Sequence, residues 1–138
     1  MKILFILPTF YPFFQFGGVA TSMYELIDEL SKNKDIDISV FTLNHHDNVD
    51  KNIEVKKMKD NFIIKYFEKT SFFSNYSKYM VSEIKNIEID VVYISAVWQI
   101  ISIPITFLLI KKNIPYIFAP HGSFIYRNVT ETNFFIKK

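Results

Sequence analysis

The sequence predicts an α/β domain built on a parallel sheet flanked by helices, and three observations carry that expectation. Ile3 to Leu7 and Val91 to Ile94 are short, unbroken apolar runs of the kind shown by strands buried on both faces. Val19, Met23, Leu26, Ile27 and Leu30 recur at three- and four-residue steps, with Glu25, Asp28 and Glu29 opposite, as on an amphipathic helix. The two kinds of segment alternate through short polar breaks, the order that parallel strands joined by helices require. With 138 residues, 49% hydrophobic and 22% charged, the chain fits one domain, 1–138, and its composition argues against disorder.

Taken in order, Met1 to Leu7 reads as the first strand, and Pro8 and Pro12 stop regular structure after it. A helix follows from Val19 to about Ser31, then a polar break, then a second strand over Ile36 to Leu43. The segment Asn44 to Asn52 is rich in turn formers and reads as an exposed loop, and Ile53 to Met58 as a short third strand. From Asp60 to Tyr79, aromatic and aliphatic residues are interleaved with Lys65, Lys69 and Lys78. Two readings fit: one or two core helices with snorkelling lysines, which is the favoured one, or a surface that leans on a membrane or a lipid-linked substrate. Tyr79 to Ile87 continues as helix, and Val91 to Ile94 forms the next strand. Ser102 is placed to cap a core helix whose first turn accepts Pro104, with Lys111 and Lys112 closing it and Asn113 as the stop. Ile114 to Ala119 is the last strand, followed by Pro120-His-Gly-Ser.

Several function classes recede on composition. A formal charge of +2 offers no clustered basic footprint, so no nucleic-acid partner is expected. The absence of cysteine removes disulfide scaffolds, thiolate metal sites and thiol nucleophiles. The N-terminal apolar run is short and broken by Pro8, unlike a secretory signal, so a cytoplasmic location is expected, with the inner face of the cell membrane as the natural place for any peripheral contact. Val91 to Ile110 carries no charge over a span the length of a membrane helix, yet Ser95, Gln99, Ser102, Pro104 and Thr106 divide it into a strand and a helix.

The chemistry gathers where strands end. Gly17-Gly18 lies between the first strand and the first helix, where unpartnered backbone amides at the positive end of the helix dipole suit a phosphate. Paired glycines are also common as plain turns, and neither a three-glycine dinucleotide fingerprint nor a Gly-Lys-Ser/Thr phosphate loop is present. His121 directly follows a buried strand and precedes a glycine, a placement that suits hydrogen bonding to a polar ligand or proton transfer. His45-His46 has no third ligand at metal spacing and reads as solvated loop, so no metal is predicted. The carboxylates form no acid–base pair.

Together, Lys2 to Phe5, Pro8-Thr-Phe-Tyr-Pro, Gly17-Gly-Val-Ala-Thr-Ser, the Asp90-Val-Val-Tyr strand, Trp98 and Ile114-Pro-Tyr-Ile-Phe-Ala-Pro-His-Gly-Ser resemble the N-terminal, Rossmann-like half of a GT-B glycosyltransferase, within the retaining family 4 group. The resemblance implies transfer of a sugar from a nucleotide-sugar donor to a glycan or lipid-linked acceptor, with retention and without a metal or other cofactor. It places Gly17 and Gly18 at the donor diphosphate and His121, the catalytic candidate, at the donor sugar. Tyr11 and Trp98 become acceptor-binding candidates. Ser95-Ala96-Val97 departs from the histidine or glycine that many members carry after that strand, which weakens the acceptor assignment there. The family's second, donor-binding domain is expected beyond Lys138, so the chain by itself is read as inactive. Bacterial surface polysaccharide synthesis is the setting the resemblance suggests. The competing reading is a non-catalytic acceptor-binding or membrane-anchoring subunit that pairs with a separate donor-binding chain.

Overall fold

The computed structural model describes residues 1–16, 18–45, 53–71, 75–95 and 100–121. The strands are β1 (Lys2–Leu7), β2 (Asp37–Leu43), β3 (Ile53–Lys59), β4 (Phe62–Phe67), β5 (Val91–Ser95) and β6 (Tyr116–Ala119); the α-helices are α1 (Gly18–Leu30), α2 (Lys78–Asn86) and α3 (Ser102–Lys111). They form one sheet in the order β3-β4-β2-β1-β5-β6. Every neighbouring pair is parallel except β3 with β4, so the expected parallel sheet carries an antiparallel edge. This is a Rossmann-like arrangement of the GT-B type.

β1 is central because both of its faces are apolar. Leu4 and Ile6 enter the core closed by α2 and α3, while Phe5 and Leu7 enter the core closed by α1. The chain leaves β1 through α1 to reach β2 on one side, and β5 pairs with β1 on the other. Strand order therefore reverses between β1 and β5, and a ligand crevice is expected beyond their carboxyl ends.

The helical expectation for Asp60 to Tyr79 fails over its first half, where Phe62–Phe67 is a strand. Asp60 and Asn61 turn the chain back from β3, and the side chains then alternate. Phe62, Ile64 and Tyr66 pack under α1, whereas Phe67 joins the other core and Lys65 pairs with Glu83 of α2. Phe62, Tyr66 and Phe67 are buried, so they form no surface that could rest on a membrane. Phe72 and Phe73 lie outside the described residues.

Asn61 also fixes where β4 begins. Its buried amide nitrogen donates to the carbonyls of Ser31, Asn33 and Ile36 at 3.0, 3.0 and 2.8 Å, tying the hairpin to the turn after α1. In α3 the cap differs from expectation: Ile101 occupies that position in helical conformation with no side-chain cap bond, and Ser102 is the first helical residue. Pro104 does fall in the first turn, and Asn113 ends the helix at φ 53°, a conformation asparagine tolerates well. Only one side of α3 is core, with Ile105 and Leu109 fully buried while Phe107 is 72% exposed.

Candidate functional site

The segment after β1 is rich in aromatic residues because it must fold back onto the sheet before α1 starts. Phe10 and Phe13 are buried in the core beneath α1, and a short 3-10 turn over Phe14–Phe16 leads towards the helix. Tyr11 stacks on Tyr24 of α1 with ring centroids 5.5 Å apart, and the Lys56 ammonium lies 4.5 Å from its ring centre. The Tyr66 hydroxyl donates to the Tyr11 carbonyl at 2.7 Å. Burial, with help from the nearby Glu54 carboxylate, pushes the Tyr66 phenol well above its ordinary value, so it remains a donor.

His45 ties the end of β2 to the same loop. Its Nε2 lies 3.1 Å from the Pro8 carbonyl and 3.4 Å from Thr9 Oγ1, and its ring meets Phe13 edge-on at 5.3 Å. A carbonyl can only accept, so Nε2 carries the proton. Burial lowers the His45 pKa, the Pro8 bond opposes that shift, and Lys69 adds to it. The expectation of a solvated loop is thus corrected at His45, which is half-buried and acts as a brace; His46 lies outside the described residues.

The other side of this sheet edge is built by β5 and β6. Tyr93 projects from β5 on the α1 side, its ring 5.4 Å from that of Phe5. Its hydroxyl lies 3.1 Å from Nε2 of His121, which directly follows Pro120 at the end of β6. His121 is exposed and adopts φ 42°, in the left-handed region where residues other than glycine are uncommon. Burial raises the Tyr93 pKa, which keeps its proton available to an unprotonated Nε2. The polar tip of Tyr93 within the apolar run Val91-Val-Tyr-Ile was the signal that a sequence reading passes over.

Gly18 opens α1, is exposed, and has open space around it: a Cβ placed there would meet no atom within 4 Å. The first turn of α1 contains no acidic side chain to occupy the free amides. Packing among the described residues therefore gives no reason for glycine at this position. Gly17 and Trp98 lie outside the described residues. Among the described residues no group of three or more His, Asp or Glu side chains is placed to hold a metal.

A sequence model of glycosyltransferase family 4 matches residues 16–136, beginning beside Gly17 and running past His121. The chain belongs to glycosyltransferase family 4. Comparison with curated proteins and with solved structures returned no significant match. For a family 4 domain, the loop after β1, the first turn of α1 and the Tyr93–His121 pair are the parts that the sheet brings to one edge. Tyr11 stands in that loop with its ring engaged by Tyr24 and Lys56 and its carbonyl held by Tyr66.

Proposed function

We propose that this chain is the acceptor-side domain of a retaining glycosyltransferase that moves a sugar from a nucleotide-sugar donor to a glycan or lipid-linked acceptor in surface polysaccharide synthesis. The observation that carries the reading is Gly18, a helix-opening glycine whose missing side chain leaves room outside the protein rather than within it. The donor diphosphate would approach the amides at Gly17 and Gly18, where negative charge on the departing nucleotide is stabilised by preorganised donors without a cation. His121, oriented by Tyr93, would meet the donor sugar, and Tyr11 and Trp98 would face the acceptor. A second Rossmann-like domain would supply the nucleotide pocket, so transfer needs both halves.

The test is nucleoside diphosphate release from a panel of sugar nucleotides, with membrane-extracted lipid and glycan acceptors, by this chain joined to its donor-binding half. Release that falls by at least tenfold in both Gly18→Val and His121→Ala, with unfolding midpoints unchanged, is the expected result, since one lost transition-state contact of this kind costs roughly that much or more. Turnover indifferent to both substitutions would overturn the assignment.

A further inference from the structure

His121 reaches Tyr93 by an uncommon backbone route. β6 runs beside β5 with Ile117 opposite Tyr93 and Ala119 opposite Ser95, so by Pro120 the chain has passed the end of that pairing. At His121 it turns into the left-handed region, at φ 42°, and the ring comes back towards Tyr93, with centroids 6.2 Å apart and Nε2 3.1 Å from the hydroxyl. A residue other than glycine holds such a conformation where surrounding contacts fix it. Tyr93 is itself fixed, since its ring packs on Phe5 of the core beneath α1.

The direction of the bond follows from the two groups. Among the described residues the Tyr93 hydroxyl has no other acceptor for its proton, and burial raises its pKa, which keeps that proton on the oxygen. A phenol is a better donor than an imidazole N–H, and an imidazole nitrogen is a better acceptor than a phenol oxygen. Tyr93 therefore donates to Nε2. A neutral imidazole has one N–H and one lone pair, so the ring proton sits on Nδ1. A histidine that serves as a base is arranged the other way: its orienting partner accepts from one ring N–H and leaves the lone pair of the other nitrogen facing the substrate. Among the described residues no carboxylate pairs with His121 to give that arrangement.

We propose that Tyr93 is a positioning residue that fixes the Nδ1–H tautomer of His121, so that His121 meets its ligand as a hydrogen-bond donor and not as a proton-transfer group. The atom it meets is an oxygen with a free lone pair on the donor sugar. This role deepens the proposed transfer reaction and rests on it for the identity of the ligand. Of the two roles open to His121 from its place after a strand, hydrogen bonding and proton transfer, only the first then remains.

The first test reads the ring and not the reaction. Two-bond 1H–15N correlation spectra of this chain, at about pH 8 and so above the range in which histidine titrates, distinguish the protonated ring nitrogen from the unprotonated one. The His121 signals are those absent from His121→Asn. Wild type should carry the proton on Nδ1. Tyr93→Phe keeps the ring on Phe5 and removes only the hydroxyl; it should return His121 towards the Nε2–H form that an exposed histidine prefers in water, with the unfolding midpoint unchanged. The second test is turnover by the chain joined to its donor-binding half. Tyr93→Phe should lower it severalfold, in proportion to the rings left in the competent tautomer. Asparagine tolerates the left-handed backbone, places an amide N–H near the position of Nδ1 and cannot take up a proton. His121→Asn should therefore keep turnover within severalfold of wild type, where His121→Ala loses about tenfold or more. The proposal is overturned if the wild-type ring carries its proton on Nε2, if Tyr93→Phe leaves the tautomer or the turnover unchanged, or if His121→Asn is as impaired as His121→Ala. A wild-type Nδ1–H signal without turnover would uphold the tautomer and sink the transfer reaction alone.

Discussion

The two faces of the sheet are closed by different physics. On the α1 face, packing is supplemented by polar ties that hold one segment to another: Asn61 to the turn after α1, Lys59 to Asp28 and Ser31, Tyr66 to the Tyr11 carbonyl and His45 to the Pro8 carbonyl. On the α2/α3 face, apolar side chains dominate, with Lys65–Glu83 and the Lys112 contacts at the rim. Hydrogen bonds are directional and apolar contact is not. The first face can therefore fix the position of the loop after β1, where the candidate site lies, while the second can only be thick and well packed. The outward sides differ in the same sense. α1 presents Thr21, Ser22, Glu25 and Glu29 to solvent, with Leu26 among them, whereas α3 presents Ile103, Phe107 and Ile110.

The comparison is broken most directly by removing packing from the α3 side. Ile105 is fully buried between helix and sheet, and Ile105→Ala should destabilise the chain by about 2–5 kcal/mol in urea unfolding. Phe107→Ser, on the outward side of the same helix, should stay within about 0.5 kcal/mol of wild type. A large cost at Phe107 would mean that its side chain supports the core and is not a free surface. On the other face, Asn61→Leu removes the donor that serves three carbonyls, and a loss of about 1–3 kcal/mol is expected in the same assay. If Asn61→Leu were neutral, the polar ties would be incidental and the contrast between the faces would collapse.

How much of this could be read from the residues depends on which face is considered. β1, β5 and α1 were legible because burial on two faces or on one stripe leaves its period in the sequence. β4 was not, because Ile63 is apolar although it lies outside the α1 core, so Phe62 to Phe67 lacks the clean alternation that marks a strand. The turn residues Asp60 and Asn61 were the available clue. α3 misled in the other direction: a helix apolar all round reads as wholly buried, and here half of it is exposed. In the site, the positions of Gly18 and His121 after strands were legible from order alone. The braces at His45, Tyr66 and Tyr93 were not, since each pairs with a residue far away in the chain and spacing records nothing of that.

A pH series sharpens the same contrast, because His45 belongs only to the braced face. Burial holds its folded pKa below the ordinary imidazole value of 6.5, so below that value the unfolded chain binds more protons than the folded one. The stability contributed by neutral His45 is present above the ordinary value and is lost as pH falls through the lowered one. Unfolding free energy should therefore decline from about pH 7 to pH 5, the range in which histidine titrates. His45→Gln, which keeps a donor but cannot titrate, should flatten that decline. His45→Ala should cost about 1 kcal/mol at neutral pH, the worth of one hydrogen bond. A slope unchanged by His45→Gln would assign the pH response to other groups and remove His45 as the brace of the loop.

A small change in stability, opposite in sign to the losses above, is expected at Gly18, and it separates what the braces are for from what they hold. Gly18→Ala adds a methyl group where no atom lies within 4 Å, in the first turn of a helix that glycine disfavours. The variant should be about 0.4–1 kcal/mol more stable than wild type, since alanine restricts the unfolded chain more than glycine does. Donor use in the proposed transfer reaction should move the opposite way, falling from Gly18 to Ala to Val as the side chain grows into the space proposed for the diphosphate. Opposite signs for stability and donor use would mean that glycine is kept for a ligand. If both declined together, the helix start itself would require glycine, and the loop so firmly held by Tyr66 and His45 would be holding only a turn.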